Sequence, residues 1–277
     1  MKNSIGIFDS GVGGLTVVKE MYRLLPSENI LYFGDTKRVP YGSKSKEEIL
    51  AIVREIIDWM LLSNIKAVAM ACNTSSALAL ETVRTEYDIP IFGLIEPTAK
   101  YIQSCGGDIK KVGVIATEAT VKSNNYSKLI KQYSQEKQVI EIPCPGLVEI
   151  IEAGQASSKK AYKEVKNFID PLLAADVDKI VLGCTHYPFI SDIIRDISGR
   201  EDILINPAEY MISEMKDILE SKQMANTFNP GPVRDFYVSA SPLQFIKVGN
   251  KLLPGTLDSN NVMVDIPGKP LQALAVS

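Results

Sequence analysis

Ile5-Gly6-Ile7-Phe8-Asp9-Ser10-Gly11-Val12-Gly13-Gly14 is a short apolar run halted by a carboxylate, a hydroxyl and a glycine-rich turn. After it, Leu15 to Leu25 carries apolar side chains at 15, 17, 18, 21, 24 and 25, which is helical spacing. Strand, turn and helix in that order open a parallel α/β sheet. The run returns as Val112-Gly113-Val114-Ile115-Ala116-Thr117, an offset of 107. Cys72 parallels Cys184 at an offset of 112, and Leu94-Ile95-Glu96-Pro97 parallels Leu204-Ile205-Asn206-Pro207 at 110. These near-constant offsets predict an internal duplication: two α/β domains of roughly a hundred residues each.

The rest of the chain alternates in the same way. In the first series, strands are expected at Ser4 to Phe8, Ile30 to Phe33, Ala67 to Ala71 and Pro90 to Ile95. Helices are expected over Leu15 to Leu25, Lys46 to Leu62 and Ser75 to Tyr87, with Ser45 and Glu48 forming a capping-box pattern for the second. In the second series, strands are expected at Lys111 to Ala116, Val139 to Pro143, Asp178 to Gly183 and Ile203 to Ile205. Helices fall over Ala119 to Gln132, Lys159 to Leu173 and Tyr187 to Ile197. Ala208 to Lys222 reads as a further helix. Phe236-Tyr237-Val238 and Gln244-Phe245-Ile246 read as short strands or a strand–helix pair. Beyond Pro254 turn residues dominate, and the tail is expected to add a hairpin or hang loose.

The 277 residues are 45% hydrophobic and 23% charged, the balance of a soluble globular protein. Thirty Lys+Arg against 33 Asp+Glu argues against the dense basic face of a nucleic-acid binder. The longest apolar stretch, Ile56 to Cys72, is broken by Asp58, Ser63, Asn64 and Lys66, so no membrane helix is expected. The start leaves no room for a signal-peptide core before Asp9, and a cytoplasmic protein is the default. Four cysteines, at 72, 105, 144 and 184, contain no C-x-x-C pair. That is neither a disulfide framework nor a structural zinc pattern.

Ligands of open α/β sheets bind beyond the carboxyl ends of the strands. That rule gathers Asp9-Ser10, Asp35-Thr36, Cys72-Asn73-Thr74, Thr117 and Cys184-Thr185-His186. A duplicated fold with a thiol at the same strand end in each half can set the two thiols face to face across a cleft. One thiolate then removes a proton from one face of a carbon, and the opposite thiol returns one to the other face. The outcome is racemisation or epimerisation. A free thiol pKa near 8.5 lets one sulfur be thiolate and the other thiol. Each cysteine also precedes a helix, whose N-terminus favours thiolate, and Asp9 and His186 are natural groups to hold or shuttle protons. Other readings remain. A strand-end cysteine is often a buried small hydrophobe. Cys184 and His186 would need further ligands to hold a metal, and C-x-H in one turn poorly suits a Cys/His hydrolase. Cys105 and Cys144 lack polar company and read as structural. Gly11-Val12-Gly13-Gly14 reads as an anion cradle without a nucleotide signature, since position 16 is Thr rather than Gly. Arg38 reads equally as a surface charge or a substrate clamp.

Five blocks together resemble the glutamate racemases. Asp9-Ser10-Gly11-Val12-Gly13-Gly14-Leu15-Thr16-Val17 is similar to the family's N-terminal signature, and Tyr32-Phe33-Gly34-Asp35-Thr36-Lys37-Arg38-Val39-Pro40-Tyr41-Gly42 to its second block. Ala71-Cys72-Asn73-Thr74-Ser75-Ser76-Ala77 and Leu182-Gly183-Cys184-Thr185-His186-Tyr187-Pro188 resemble the two cysteine blocks. Cys144-Pro145-Gly146-Leu147-Val148-Glu149-Ile150-Ile151-Glu152-Ala153-Gly154 resembles a further one. The resemblance implies two pseudo-symmetric α/β domains of the aspartate/glutamate racemase type with mainly parallel sheets and the active site in the cleft between them. The first would comprise 1–97 with a returning 207–277, the second 98–206. It implies cofactor-independent, metal-free interconversion of L- and D-glutamate for bacterial peptidoglycan, and so for cell wall and cell shape, by a cytoplasmic homodimer. Cys72 would act on the D-enantiomer with Asp9, and Cys184 on the L-enantiomer with Glu152 and His186. Substrate contacts would come from Asp9, Ser10, Pro40, Tyr41, Gly42, Ser43, Asn73, Thr74, Thr117, Thr185 and His186. An aspartate racemase or related isomerase is the alternative, and a binding protein without catalysis the remote one. The chain departs from the family at Asn206-Pro207-Ala208, where many relatives carry Asp-Ser-Gly or Asp-Ser-Ala. It departs also at Glu149, often Pro, and after Pro254.

Overall fold

The structure is a computed structural model and describes residues 3–228 and 230–267. In chain order the elements begin with β1 (Ser4–Asp9), α1 (Leu15–Leu24), β2 (Ile30–Gly34), α2 (Lys46–Leu61), β3 (Ile65–Met70), α3 (Asn73–Leu78), α4 (Leu80–Glu86), β4 (Ile91–Phe92) and α5 (Ile95–Ser104). There follow β5 (Lys111–Ala116), α6 (Glu118–Ser123), α7 (Asn125–Tyr133), β6 (Gln138–Pro143), α8 (Leu147–Glu152), α9 (Lys159–Ala174), β7 (Lys179–Gly183), α10 (Ser191–Ser198) and β8 (Leu204–Ile205). The chain closes with α11 (Pro207–Ser221), β9 (Arg234–Val238), α12 (Pro242–Gly249) and β10 (Val262–Val264).

Two sheets result, with strand orders β10-β9-β2-β1-β3-β4 and β6-β5-β7-β8. The second repeats the 2-1-3-4 order of the first, and every strand pair among the described residues is parallel. The duplication read from the sequence is therefore a duplication of topology, and it sets Cys72 and Cys184 just past the ends of equivalent central strands, β3 and β7. The third landmark pair is displaced. The fourth strand ends at Phe92, not Ile95, because Ile95 already starts a helix.

Both sheets are covered on both faces, as parallel sheets require. On the first, α1, α11 and α12 bury Leu15, Met211 and Phe245 against one face, and α2 buries Ile49, Val53 and Ile56 against the other. On the second, α8 and α9 bury Ile151 and Ile169 on one face, and α5 and α7 bury Ile102 and Ile130 on the other. A buried side chain of this size is worth about 1.5–3 kcal/mol over exposure. The amphipathic faces, rather than helix propensity, thus hold these layers.

Several expected elements are reshaped. The helix expected over Ser75 to Tyr87 is two helices meeting at Ala79, and that over Ala119 to Gln132 is broken at Asn124. Asn124 adopts φ +58°, a left-handed conformation that asparagine tolerates better than most residues. Tyr187 to Ile190 is a 3-10 turn leading into α10. α5 and α8 were not anticipated as helices. Pro97 is tolerated in α5 because it sits in the first turn, where the backbone N–H has no helical partner. The Ser45/Glu48 capping box is present, with Glu48 N–H donating to Ser45 Oγ and Ser45 N–H to Glu48 Oε2. Asn206 caps α11 by accepting the Ala208 N–H, so the departure from Asp keeps a competent N-cap. After Pro254 the chain adds β10 to the sheet edge rather than a hairpin. The rest of that tail, 268–277, lies outside the described residues.

Candidate active site

The carboxyl ends of β1, β3, β5 and β7 converge on one narrow cavity. Its walls are Asp9, Ser10, Pro40, Tyr41, Gly42, Cys72, Asn73, Thr74, Thr117, Val148, Cys184, Thr185 and His186. Asp35 and Thr36, gathered by the strand-end rule, lie off this wall, with Asp35 accepting from the Ser239 hydroxyl. Of the residues the resemblance assigns, two more lie off it. Ser43 lines the adjoining outer cavities with Gly42 and Glu118. Glu152 stands behind His186. Val148, on α8, is a wall residue that the sequence reading missed. It sits within the block quoted from Cys144 to Gly154, but an apolar residue in a helix gives no signal of facing a cleft.

On the Cys184 side, Sγ lies 3.7 Å from His186 Nδ1, and His186 Nε2 lies 2.7 Å from Glu152 Oε1. Burial would drive the imidazolium to deprotonate, but hydrogen bonds and negative charge from Cys184 and Glu152 hold its pKa well above the usual value. On the Cys72 side there is no such partner. Burial, reinforced by the Asp9 carboxylate, pushes the Cys72 thiol up to about 12, against the smaller pull of the Ser75 N–H and hydroxyl. Burial outweighs the helix-terminus effect expected at this cysteine, and Cys72 is a thiol at neutral pH. Asp9 is fully buried and rises to about 6, through burial first, opposed by His186 and by the N–H groups of Ser10 and Gly14.

The Gly11–Gly14 turn is a cradle, but for the protein's own carboxylates. Gly14 N–H donates to Asp9 Oδ2 at 2.6 Å, and Val12 N–H to Glu152 Oε1 at 2.8 Å. The glycines are there for space. A Cβ at Gly13 would lie 2.5 Å from His186 Nδ1, and one at Gly11 would collide with Glu152 Oε1. Across the cleft, the Thr74 and Thr117 hydroxyls meet at 2.9 Å, joining the ends of β3 and β5. Asn73 Oδ1 accepts from Tyr126 OH at 2.6 Å, while its buried Nδ2 has no partner among the described residues. That leaves an N–H donor in the cavity wall. Tyr41 donates to Asp35, as does Arg38, which also reaches Glu55. Arg38 is thus a tether for the 36–43 loop, neither a free surface charge nor a clamp in the cavity. Cys144 is buried beside the outer cavity, with its thiol pushed up by burial first and then by Cys184. Among the described residues no group of three His, Cys, Asp or Glu is placed to hold a metal ion, and no helix is long and apolar enough to cross a membrane.

Residues 5–214 match the Asp/Glu/Hydantoin racemase family. A glutamate racemase of Trichormus variabilis is 44% identical over 245 residues, covering 88% of this chain and 82% of that protein. One from Trichodesmium erythraeum is 44% identical over 249 residues, covering 90% and 91%. Among solved structures, a glutamate racemase isoform of Bacillus anthracis superposes with a TM-score of 0.88 at 33% identity, covering 96% of this chain and 97% of that one. The Francisella tularensis glutamate racemase, solved with D-glutamate, gives 0.87 at 32%, covering 96% and 98%. An aspartate racemase homologue from Pyrococcus horikoshii, at 17% identity and TM-score 0.56, shares the fold alone. With its paired sheets, its two strand-end thiols in one cavity and these relatives, the chain belongs to the Asp/Glu/hydantoin racemase family and, within it, to the glutamate racemases.

Proposed function

We propose that this enzyme interconverts L- and D-glutamate by two-thiol proton transfer, without a cofactor, and supplies D-glutamate for peptidoglycan. The observation that carries the mechanism is the chemical asymmetry of two thiols in one cavity. Cys72 is held protonated, and Cys184 is paired with His186 and Glu152. L-Glutamate loses its Cα proton to the Cys184 thiolate while Cys72 delivers its own proton to the opposite face, giving the D-enantiomer. The reverse reaction exchanges the roles, with Asp9 assisting Cys72. The wall donors, Asn73 Nδ2 and the Ser10, Thr74, Thr117 and Thr185 hydroxyls, suit the two carboxylates of the substrate. Donors fixed in a dry cavity stabilise developing negative charge better than water does.

We read the two sheets as two lobes, 1–97 with 207–277 and 98–206. Because α5 spans residue 97 and packs on the second sheet, the first division belongs near residue 94. Closure of these lobes would exclude water, and reopening would release product. We expect a cytoplasmic homodimer, which sedimentation of the purified protein tests. The decisive experiment for the reaction is incubation with L- or D-glutamate in heavy water, with no added cofactor. Deuterium at Cα of the inverted product is expected, whereas inversion of aspartate but not glutamate would move the assignment to the alternative substrate.

A further inference from the structure

Glu152 bridges the two halves of the site. Its Oε1 takes both the Val12 N–H of the Gly11–Gly14 turn and His186 Nε2. Yet α8, which carries it, has only six residues, too few to be stable alone. Its position must be imposed from outside. The helix closes with Gly154 at φ +72°, Gln155 N–H reaching Ile150 O and Gly154 N–H reaching Ile151 O, which leaves later carbonyls free. Two of these are taken by side chains from the end of the chain. Gln244 Nε2 donates to Glu152 O at 2.7 Å, and Lys251 Nζ donates to Gly154 O at 2.7 Å. A lysine charge at a helix C-terminus also suits the helix dipole.

Gln244 lies on α12, and Lys251 two residues beyond its end; the helix itself is anchored on the first sheet. Phe245 and Val248 are buried there. The Phe245 ring stands 5.8 Å from that of Tyr32, whose hydroxyl donates to Gly11 O at 2.7 Å. A Cβ at Gly249 would fall 2.6 Å from Leu15 Cδ1, so α12 lies close against the start of α1. One face of α12 therefore supports the turn that receives Glu152, and its other side grips the helix that supplies Glu152. We propose that Gln244 and Lys251 are positioning residues that fix the end of α8, and so hold the Glu152 carboxylate between Val12 and His186. Neither touches the cavity. Both act through Glu152 on the Cys184 half-reaction, so the catalytic part of the inference rests on the two-thiol reading.

The test uses full-length, untagged wild type, the Gln244→Ala/Lys251→Ala double variant, and Lys251→Arg with Gln244 intact. His186 is the single histidine of the chain, so its imidazole proton resonance can be followed by NMR without ambiguity. The groups facing it are Cys184, Glu152 and, at longer range, Asp9. Releasing Glu152 removes one partner that keeps the imidazolium protonated. His186 in the double variant is then expected to titrate at lower pH than in wild type. The alkaline limb of kcat for L-glutamate moves down with it, and kcat falls roughly threefold to thirtyfold with KM within about twofold. Lys251→Arg, which keeps a donor and a charge, retains the wild-type profile. An unchanged His186 titration overturns the positioning role, even if the double variant melts earlier. A shifted titration in the double variant, together with a wild-type enzyme that does not invert glutamate, would leave the positioning role standing and overturn the proposed reaction instead.

Discussion

The two candidate thiols occupy matching strand ends yet have different chemistry, because their neighbours differ. Cys72 has burial and the Asp9 carboxylate, which both oppose ionisation; Cys184 has an imidazole backed by a carboxylate. Cys72→Ala and Cys184→Ala should each lower racemisation by about 10³-fold or more, in both directions, with unchanged circular dichroism. A variant within tenfold of wild type would sink the two-thiol mechanism. Asp9 carries a second prediction. Its folded-state pKa, about 6, lies above its ordinary value of 3.8, so the native chain binds this proton more tightly than the unfolded chain. Below about pH 3.8 both states are protonated and there is no penalty. As pH rises from there to about 6, the unfolded state releases the proton first and stability falls. Asp9→Asn should therefore stabilise the fold by about 1–3 kcal/mol at pH 7–8 and by almost nothing near pH 3.5, while lowering activity. Melting curves at the two pH values decide this. That Cys72 and Cys184 share one cavity was legible from their equivalent places in the repeat. Their asymmetry was not, since it comes from residues far apart in sequence.

At the scale of elements, the glycine-rich turn is the anion cradle its sequence suggests, and the tertiary structure supplies the anions. Its N–H groups face Asp9 and Glu152. Glu152 lies 140 residues from Val12, so nothing local reveals the contact. Gly13→Ala should place a methyl against the His186 ring, reducing kcat more than tenfold and stability by about 1–3 kcal/mol. Wild-type activity in this variant would mean that the turn and the His186 loop separate easily. By contrast, Ser45→Ala removes the cap of α2, where the helix follows the Pro40–Ser43 loop. It should cost about 1 kcal/mol in denaturant titration. Elements with a local signal, such as this capped helix, were placed from sequence within a residue or two. α5 was hidden because an apolar run ending in proline resembles a strand, and only packing on the second sheet distinguishes the two.

In the whole molecule, the strands β9 and β10 belong to the first sheet. β9 pairs with β2 and β10 with β9, and Asp265 accepts from the indole N–H of Trp59 at 2.9 Å. Trp59 is the single tryptophan, so it reports on this edge. Val262→Asp should free β10, lower the melting temperature and shift Trp59 emission to the red; unchanged emission would show that the edge strand does not shield the indole. The alternation of apolar runs and amphipathic helices, the repeat, and the polar residues at strand ends were determined by the sequence itself, because strand and helix periodicities and the strand-end rule are local physics. Tertiary structure alone decided that residues 262–264 become an edge strand, that Asp265 meets Trp59, and that Glu152 reaches the glycine turn. Those outcomes depend on burial and on contacts between distant segments, which exist only after the two sheets have formed and the last helix has closed over both.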